Sequence, residues 1–243
     1  MPAVLKMRVN NPAALIRHAW ENGYSVPAFN VCNLEFAKAV IEAAEVENSP
    51  VLLQTHPGDL RYAGLRSIAT ILRMVSDEAP VPALLHLDHP EDLTMILECL
   101  REGYMSVMFD GGHLATDQNV REAARIAGIA HPLGAIVEGE LRQFGGEHQG
   151  MRVAETLSCD ARRMFEEGHV DMLSVSVGSV HGEKSRLNLT LLKEIAAVGK
   201  GPRVLHGGSG IDADDVKQAI RCGVVKVNIG AAITKKTTHT QKR

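Results

Sequence analysis

Eight short β-rich runs recur along this chain, and a helix-patterned stretch follows every run but the last. The runs cover residues 25–31, 50–55, 83–88, 106–111, 134–141, 172–177, 203–208 and 224–230. Most are continuously apolar rather than alternating, as expected of strands buried on both faces of a parallel sheet. The helical stretches are 34–46, 64–77, 91–102, 118–130, 159–167, 190–198 and 213–221, with an extra one, 12–22, ahead of the first run. Basic residues and glycines close several of them, as in Arg101-Glu102-Gly103 and Arg221-Cys222-Gly223. No low-complexity linker divides the 243 residues. The order predicts one α/β domain over 1–243, a (β/α)8 TIM barrel. Its eighth helix is missing from the pattern. Residues 231–243 are polar without an apolar stripe and are expected to form a disordered tail. Such a gap suits a truncated chain, or one whose partner subunit covers the last strand.

Composition narrows the function mainly by exclusion. The chain carries 26 basic and 29 acidic residues, a net charge of −3, with no basic stripe, so a nucleic-acid partner is not expected. It shows no signal-peptide pattern and no apolar run long enough to span a bilayer, so no membrane is expected and the cytoplasm is the expected location. Cys32, Cys99, Cys159 and Cys222 are scattered without a Cys-x-x-Cys pair, which reads as free thiols rather than disulfides or a thiolate metal site.

Three histidines stand at the ends of strand-like runs: His89 after the third, His181 after the sixth and His206 after the seventh. In a TIM barrel these ends share one rim, where active sites form. Neutral imidazoles converging from separate strands are what a catalytic zinc needs. His86, two residues before Asp88, is expected to face the barrel interior with it. Asp88 itself is a candidate general acid/base beside a metal, or else a carboxylate that orients a ligand histidine.

Two further features lie at the same rim. His206-Gly207-Gly208-Ser209-Gly210 runs into a helix opened by Asp212-Ala213-Asp214, and exposed backbone N–H groups at such a turn hold phosphate. Asn228-Ile229-Gly230 ends the eighth run, and phosphate sites in this fold recur after strands seven and eight. Glu138 and Glu140 share one face of the fifth run, and Asp110 ends the fourth. These carboxylates stand behind metal ligands, form an auxiliary cation site, or make a buried polar network, since burying them without partners is costly. Residues 144–153 read as a mobile loop at the rim.

Taken together, the motifs resemble the class II, zinc-dependent ketose-bisphosphate aldolases, of the fructose- and tagatose-bisphosphate type. The similarity runs from about Pro12 to Gly230. It rests on seven segments in order: 24–30, His86-Leu87-Asp88-His89, 106–110, Val137-Glu138-Gly139-Glu140-Leu141, His181-Gly182, 206–210 and 225–230. Pro57-Gly58 and the stretch after His89 are closer to the tagatose branch. The resemblance implies a lyase of sugar-phosphate metabolism such as glycolysis. It would cleave a phosphorylated ketose reversibly to dihydroxyacetone phosphate and glyceraldehyde 3-phosphate.

By that resemblance His89, His181 and His206 bind Zn2+ and Asp88 is the catalytic acid/base. Gly182, Gly207, Gly208, Ser209, Asn228, Ile229, Gly230 and Ala231 hold the triose-phosphate part of the substrate. A monovalent cation, Na+ or K+, sits near the phosphate, Asp110 and Glu140 stand behind the metal ligands, and Glu147 is the loop acid. A homo-oligomer, dimer or tetramer, is expected. The chain departs from the family at four places. Glu147-His148-Gln149 stands where a Glu-Asp pair is usual, Ala231 where a threonine is usual and His56 where a small hydroxyl residue is usual, and the C-terminal region that supplies an arginine is absent. The alternative reading is a catalytically impaired barrel subunit that keeps metal and phosphate binding.

Overall fold

The computed structural model describes residues 11–90, 92–141, 156–179, 184–199 and 201–231. Eight parallel strands close into a barrel in sequence order: β1 (Val26–Asn30), β2 (Val51–Thr55), β3 (Ala83–Leu87), β4 (Ser106–Asp110), β5 (Ile136–Glu140), β6 (Met172–Ser174), β7 (Arg203–Leu205) and β8 (Val224–Ile229). β8 returns to pair with β1, Ala28 opposite Asn228. The helices are α1 (Pro12–Asn22), α2 (Leu34–Val46), α3 (Pro57–Ala63), α4 (Leu65–Glu78), α5 (Leu93–Arg101), α6 (Thr116–Ala130), α7 (Ser158–Glu166), α8 (Leu189–Val198) and α9 (Ala213–Arg221).

Strand side chains alternate between two layers. Odd-numbered residues such as Leu53, Leu85, Val107, Val137, Leu173 and Leu205 pack outward against the helices. Even-numbered ones line the interior, which changes character along the barrel axis. Its lower part is apolar: Val26, Leu52, Leu84, Ile136, Met172 and Val204, closed from below by Leu15, Ile16 and Ala19 of α1. Its upper part is polar and buried, with Gln54, His86, Ser106, Glu138, Glu140 and Lys226 all without exposed surface. The chain thus spends buried volume on polar groups at the C-terminal ends of the strands, where this fold keeps its chemistry.

One irregularity preserves this pattern on β8. Arg203 pairs with Val224 but Val204 pairs with Lys226, so Val225 is an extra residue opposite β7. Val225 joins the apolar floor while Lys226 still points inward, as a bulge allows. On the outer face of β7, the buried Arg203 guanidinium donates to Cys222 O and to the carbonyls of Ile195, Ala196 and Gly199 at the end of α8.

The elements differ from the sequence-based expectation in two respects. α3 was not anticipated. Its N-cap is His56, whose Nδ1 accepts from Gly58 N while Asp59 Oδ2 accepts from His56 N. This is a capping box built from a histidine rather than the usual serine or threonine. β6 and β7 are three residues each, shorter than the apolar runs 172–177 and 203–208. The expected tail over 231–243 lies, apart from Ala231, outside the described residues, as does the loop over 144–153.

Candidate active site

His89 is the residue that turns the chain over the rim. It follows β3 with φ 47°, a left-handed conformation that costs a non-glycine residue roughly 1–2 kcal/mol. The turn lets Asp88 and His89, neighbours in sequence, face the same cavity instead of opposite layers. Asp88 is buried; its Oδ1 accepts from Asn228 Nδ2 at 2.9 Å and its Oδ2 from Gln54 Nε2 at 3.4 Å. Gln54 also donates to Asn30 Oδ1 at 2.9 Å, tying β1, β2 and β3 together at the rim.

Two of the three candidate ligand histidines, His89 and His206, are among the described residues, and the structure brings them together. His89 Nε2 and His206 Nδ1 lie 2.9 Å apart, their rings edge to face. Each ring is held from behind by a carboxylate. His89 Nδ1 donates to Asp110 Oδ2 at 2.9 Å, and His206 Nε2 donates to Glu138 Oε1 at 2.9 Å. This is the outer arrangement of metal-ligating histidines, in which a second partner fixes the tautomer and aims the other nitrogen at the ion.

Electrostatics agree. Burial opposes a charge on His89, but the Asp110 hydrogen bond and the carboxylates of Asp88 and Glu140 raise its pKa to about 9. Burial keeps His206 below the ordinary imidazole value. Burial also presses on Asp88 and Asp110, yet the His89 charge holds both carboxyls below the usual range. Glu140 differs: burial, then Asp110, push it well above the usual carboxylate value. Both Glu140 carboxylate oxygens are buried without a hydrogen-bond partner among the described residues.

Ligand-type atoms of Asp88, His89 and His206 lie within 4.8 Å of one another, as do those of His89, Asp110 and Glu140. Imidazole nitrogens with a carboxylate form a donor set suited to zinc and similar divalent ions. The residues fit a metal. His181 and Gly182 lie outside the described residues, as does Glu147.

A cavity of about 530 Å³ opens beside this centre, lined by Asn30, Gln54, Asp88, His89, Asn228 and the turns around Ser209 and Ala231. His56 and Asp59 form another part of its wall. Gly207 (φ 72°) starts the turn after β7, and Gly210 N donates to Gly207 O at 3.0 Å. Gly208 lies so close to β8 that a Cβ there would meet Val227 Cγ1 at 2.5 Å and Asn228 O at 2.8 Å. That contact joins the two turns into one wall. Of the sequence candidates, Asp88, His89, Gly207, Ser209, Asn228, Gly230 and Ala231 line the cavity. Gly208 and Ile229 support that wall from behind.

Sequence reading gave no role to Asn30, Gln54 or Lys226. Each is a polar residue in a largely apolar strand, at a position whose side chain faces the interior. The period-two rule would have found Asn30 and Gln54, whereas the bulge on β8 hides the facing of Lys226. Glu138 and Glu140 prove to be unlike: Glu138 has a complete set of donors, so the network reading holds for it, whereas Glu140 joins the second ligand cluster.

Comparison with known proteins matches residues 10–243 to the family model for class-II fructose-bisphosphate aldolase. The chain is 41% identical over 236 residues to the fructose-bisphosphate aldolase of Streptococcus pyogenes serotype M1, covering 92% of this chain and 79% of that protein. It is 38% identical over 235 residues to that of Streptococcus pneumoniae serotype 4, with the same coverage. Among solved structures, the YdjI aldolase from Escherichia coli K12 superposes with a TM-score of 0.85 at 28% identity, covering 96% of this chain and 85% of that one. The fructose-bisphosphate aldolase of Campylobacter jejuni gives 0.79 at 25% identity, covering 91% and 75%. The chain belongs to the class-II fructose-bisphosphate aldolase family and is a class II aldolase, a carbon–carbon lyase. Among the described residues no helix is long and apolar enough to cross a membrane.

Proposed function

We propose that this protein is a zinc-dependent aldolase that cleaves fructose 1,6-bisphosphate, or its C4 epimer tagatose 1,6-bisphosphate, reversibly to dihydroxyacetone phosphate and glyceraldehyde 3-phosphate. The observation that carries the reading is a buried carboxylate, Asp88, clustered with His89 and His206 and sharing one cavity with the glycine turns. Relatives of two streptococcal species are named fructose-bisphosphate aldolase, which favours the fructose substrate.

His89, His181 and His206 would hold the ion, which when bound supplies an electron sink at the carbonyl beside the breaking carbon–carbon bond. Asp88 removes the proton from the C4 hydroxyl. Asn228 and Gln54 aim its oxygens, and the hydrogen bonds they donate favour the carboxylate form that accepts the proton. Backbone N–H groups of Gly207–Ser209 and Asn228–Ala231, with Gly182, hold the phosphate of the triose part, and Na+ or K+ shares that phosphate. Glu147 would supply the proton that completes the triose product. A homo-oligomer, dimer or tetramer, acting in the cytoplasm completes the proposal.

The test is cleavage of both bisphosphates with and without chelator, in wild type and His89→Ala. Activity that depends on zinc and disappears in the variant is expected. Cleavage surviving both treatments overturns the reading. Zinc and triose-phosphate binding without turnover would make the chain a non-catalytic barrel instead.

A further inference from the structure

The interior of the barrel holds one fully buried lysine that the proposed chemistry does not use. Lys226 points inward from β8 with no exposed surface. Its ammonium has three protons to donate, and two acceptors are in place: Glu138 Oε2 at 2.6 Å and His86 Nε2 at 3.0 Å. A buried ammonium is tolerated only when it is paired and hydrogen-bonded in this way.

The contacts continue in both directions. Glu138 spends its other oxygen on His206, accepting from Nε2 at 2.9 Å. His86 Nδ1 faces Ser106 Oγ at 2.7 Å. Because Lys226 donates to His86 Nε2, the His86 proton sits on Nδ1 and is given to Ser106. Burial, then the Lys226 charge, lower the His86 pKa to about 3, so that ring stays a neutral acceptor. Burial alone would raise Glu138, but Lys226 overrides it and holds the carboxyl well below its usual range. Glu138 is thus an obligate acceptor with one oxygen committed to each neighbour.

We infer that Lys226 is a positioning residue that acts through Glu138 on His206. It anchors Glu138 so that the carboxylate keeps the proton on His206 Nε2 and leaves Nδ1 open toward the ion. The inference rests on the reading of His206 as a metal ligand. Four strands share the chain of contacts: β3 supplies His86, β5 Glu138, the end of β7 His206 and β8 Lys226. The geometry of one ligand nitrogen is therefore fixed by a buried charge on the neighbouring strand, relayed through a carboxylate from β5.

The experiment measures zinc affinity of the full-length apoprotein by competition with a chromophoric chelator, with zinc alone as the probe. Wild type is expected to bind and His206→Ala to lose most of that affinity. Lys226→Met should weaken zinc roughly 10- to 100-fold, the usual effect of removing a partner behind a ligand. Glu138→Gln should weaken it similarly, and the double variant no further than either single one. Zinc affinity of Lys226→Met equal to wild type overturns the inference alone, as does a double variant whose losses multiply. Wild type that binds no zinc, or His206→Ala that keeps it, overturns the metal-site reading and this inference with it. Lower thermal stability with unchanged zinc affinity would mean that Lys226 only fills the barrel. Should Lys226→Met fail to fold, Lys226→Gln is measured the same way. The His206 tautomer is also read by nitrogen-15 NMR in wild-type apoprotein, where an Nδ1-protonated ring overturns the inference and an Nε2-protonated ring supports it.

Discussion

Asn228 donates from Nδ2 to Oδ1 of Asp88 across 2.9 Å, joining the top of β8 to the residue that follows β3. The bond orients the proposed base without neutralising it, since an amide supplies a donor and no charge. Asp88→Asn should therefore keep the shape of the site and its zinc while losing roughly 10²- to 10⁴-fold in kcat, the usual contribution of a positioned base. Asn228→Ala should cost less, about 1.5–3 kcal/mol for a hydrogen bond to a charged group. Steady-state rates with fructose 1,6-bisphosphate, alongside zinc content, check both. An Asp88→Asn enzyme with wild-type kcat would remove Asp88 from the mechanism.

His86 makes the metal-free protein sensitive to acid. Its folded pKa of about 3 lies below the ordinary 6.5, so between those values the unfolded chain binds more protons than the native one. Stability from this group is fully present above pH 6.5 and is lost as pH falls toward 3, at up to about 1.4 kcal/mol per pH unit. His86→Asn should flatten that slope. Urea unfolding of chelator-treated protein from pH 4 to 7 gives the two slopes; identical slopes would mean that His86 is not the group responsible.

Gly208→Ala tests the joined wall of the cavity. The added methyl would collide with backbone, Asn228 O at 2.8 Å, as well as with the Val227 side chain. The turn must withdraw from β8, at a cost of about 1–3 kcal/mol in stability. Triose-phosphate affinity should fall with it. Calorimetric titration with dihydroxyacetone phosphate measures the loss, and an unchanged affinity would show that this turn does not hold the phosphate.

The histidine cap of α3 makes a narrower prediction. His56→Ala removes the acceptor for Gly58 N and should destabilise the protein by about 0.5–2 kcal/mol, while His56→Ser should restore most of it. Thermal melts of the two variants decide; equal melting temperatures would mean that the cap contributes nothing.

Most of the barrel could be read from the chain because the strands are continuous apolar runs and the helices carry an amphipathic period. The rim positions of His89 and His206 followed from that order alone. What could not be read was anything that depends on a neighbour across the lumen. Lys226 lies in Val224–Ile229, and nothing in that strand's own sequence tells an inward lysine from an outward one once a bulge shifts the register. α3 escaped notice because histidine is not among the residues that usually cap a helix. Glu138 and Glu140 look equivalent in sequence, and only the positions of Lys226 and Asp110 make one a permanent anion and the other a carboxyl that resists ionising.

The bulge at Val225 also sets how this protein can change over time. A substitution in β8 alters one side chain. Losing Val225 would only close the bulge and leave Lys226 opposite Val204, but losing a residue beyond it, Val227 for instance, would turn Asn228 away from Asp88. Length past the bulge is consequently under tighter constraint than identity. Descendants of this chain can exchange many residues around the rim, but those that gain or lose one between Lys226 and Gly230 should be rare among the active ones.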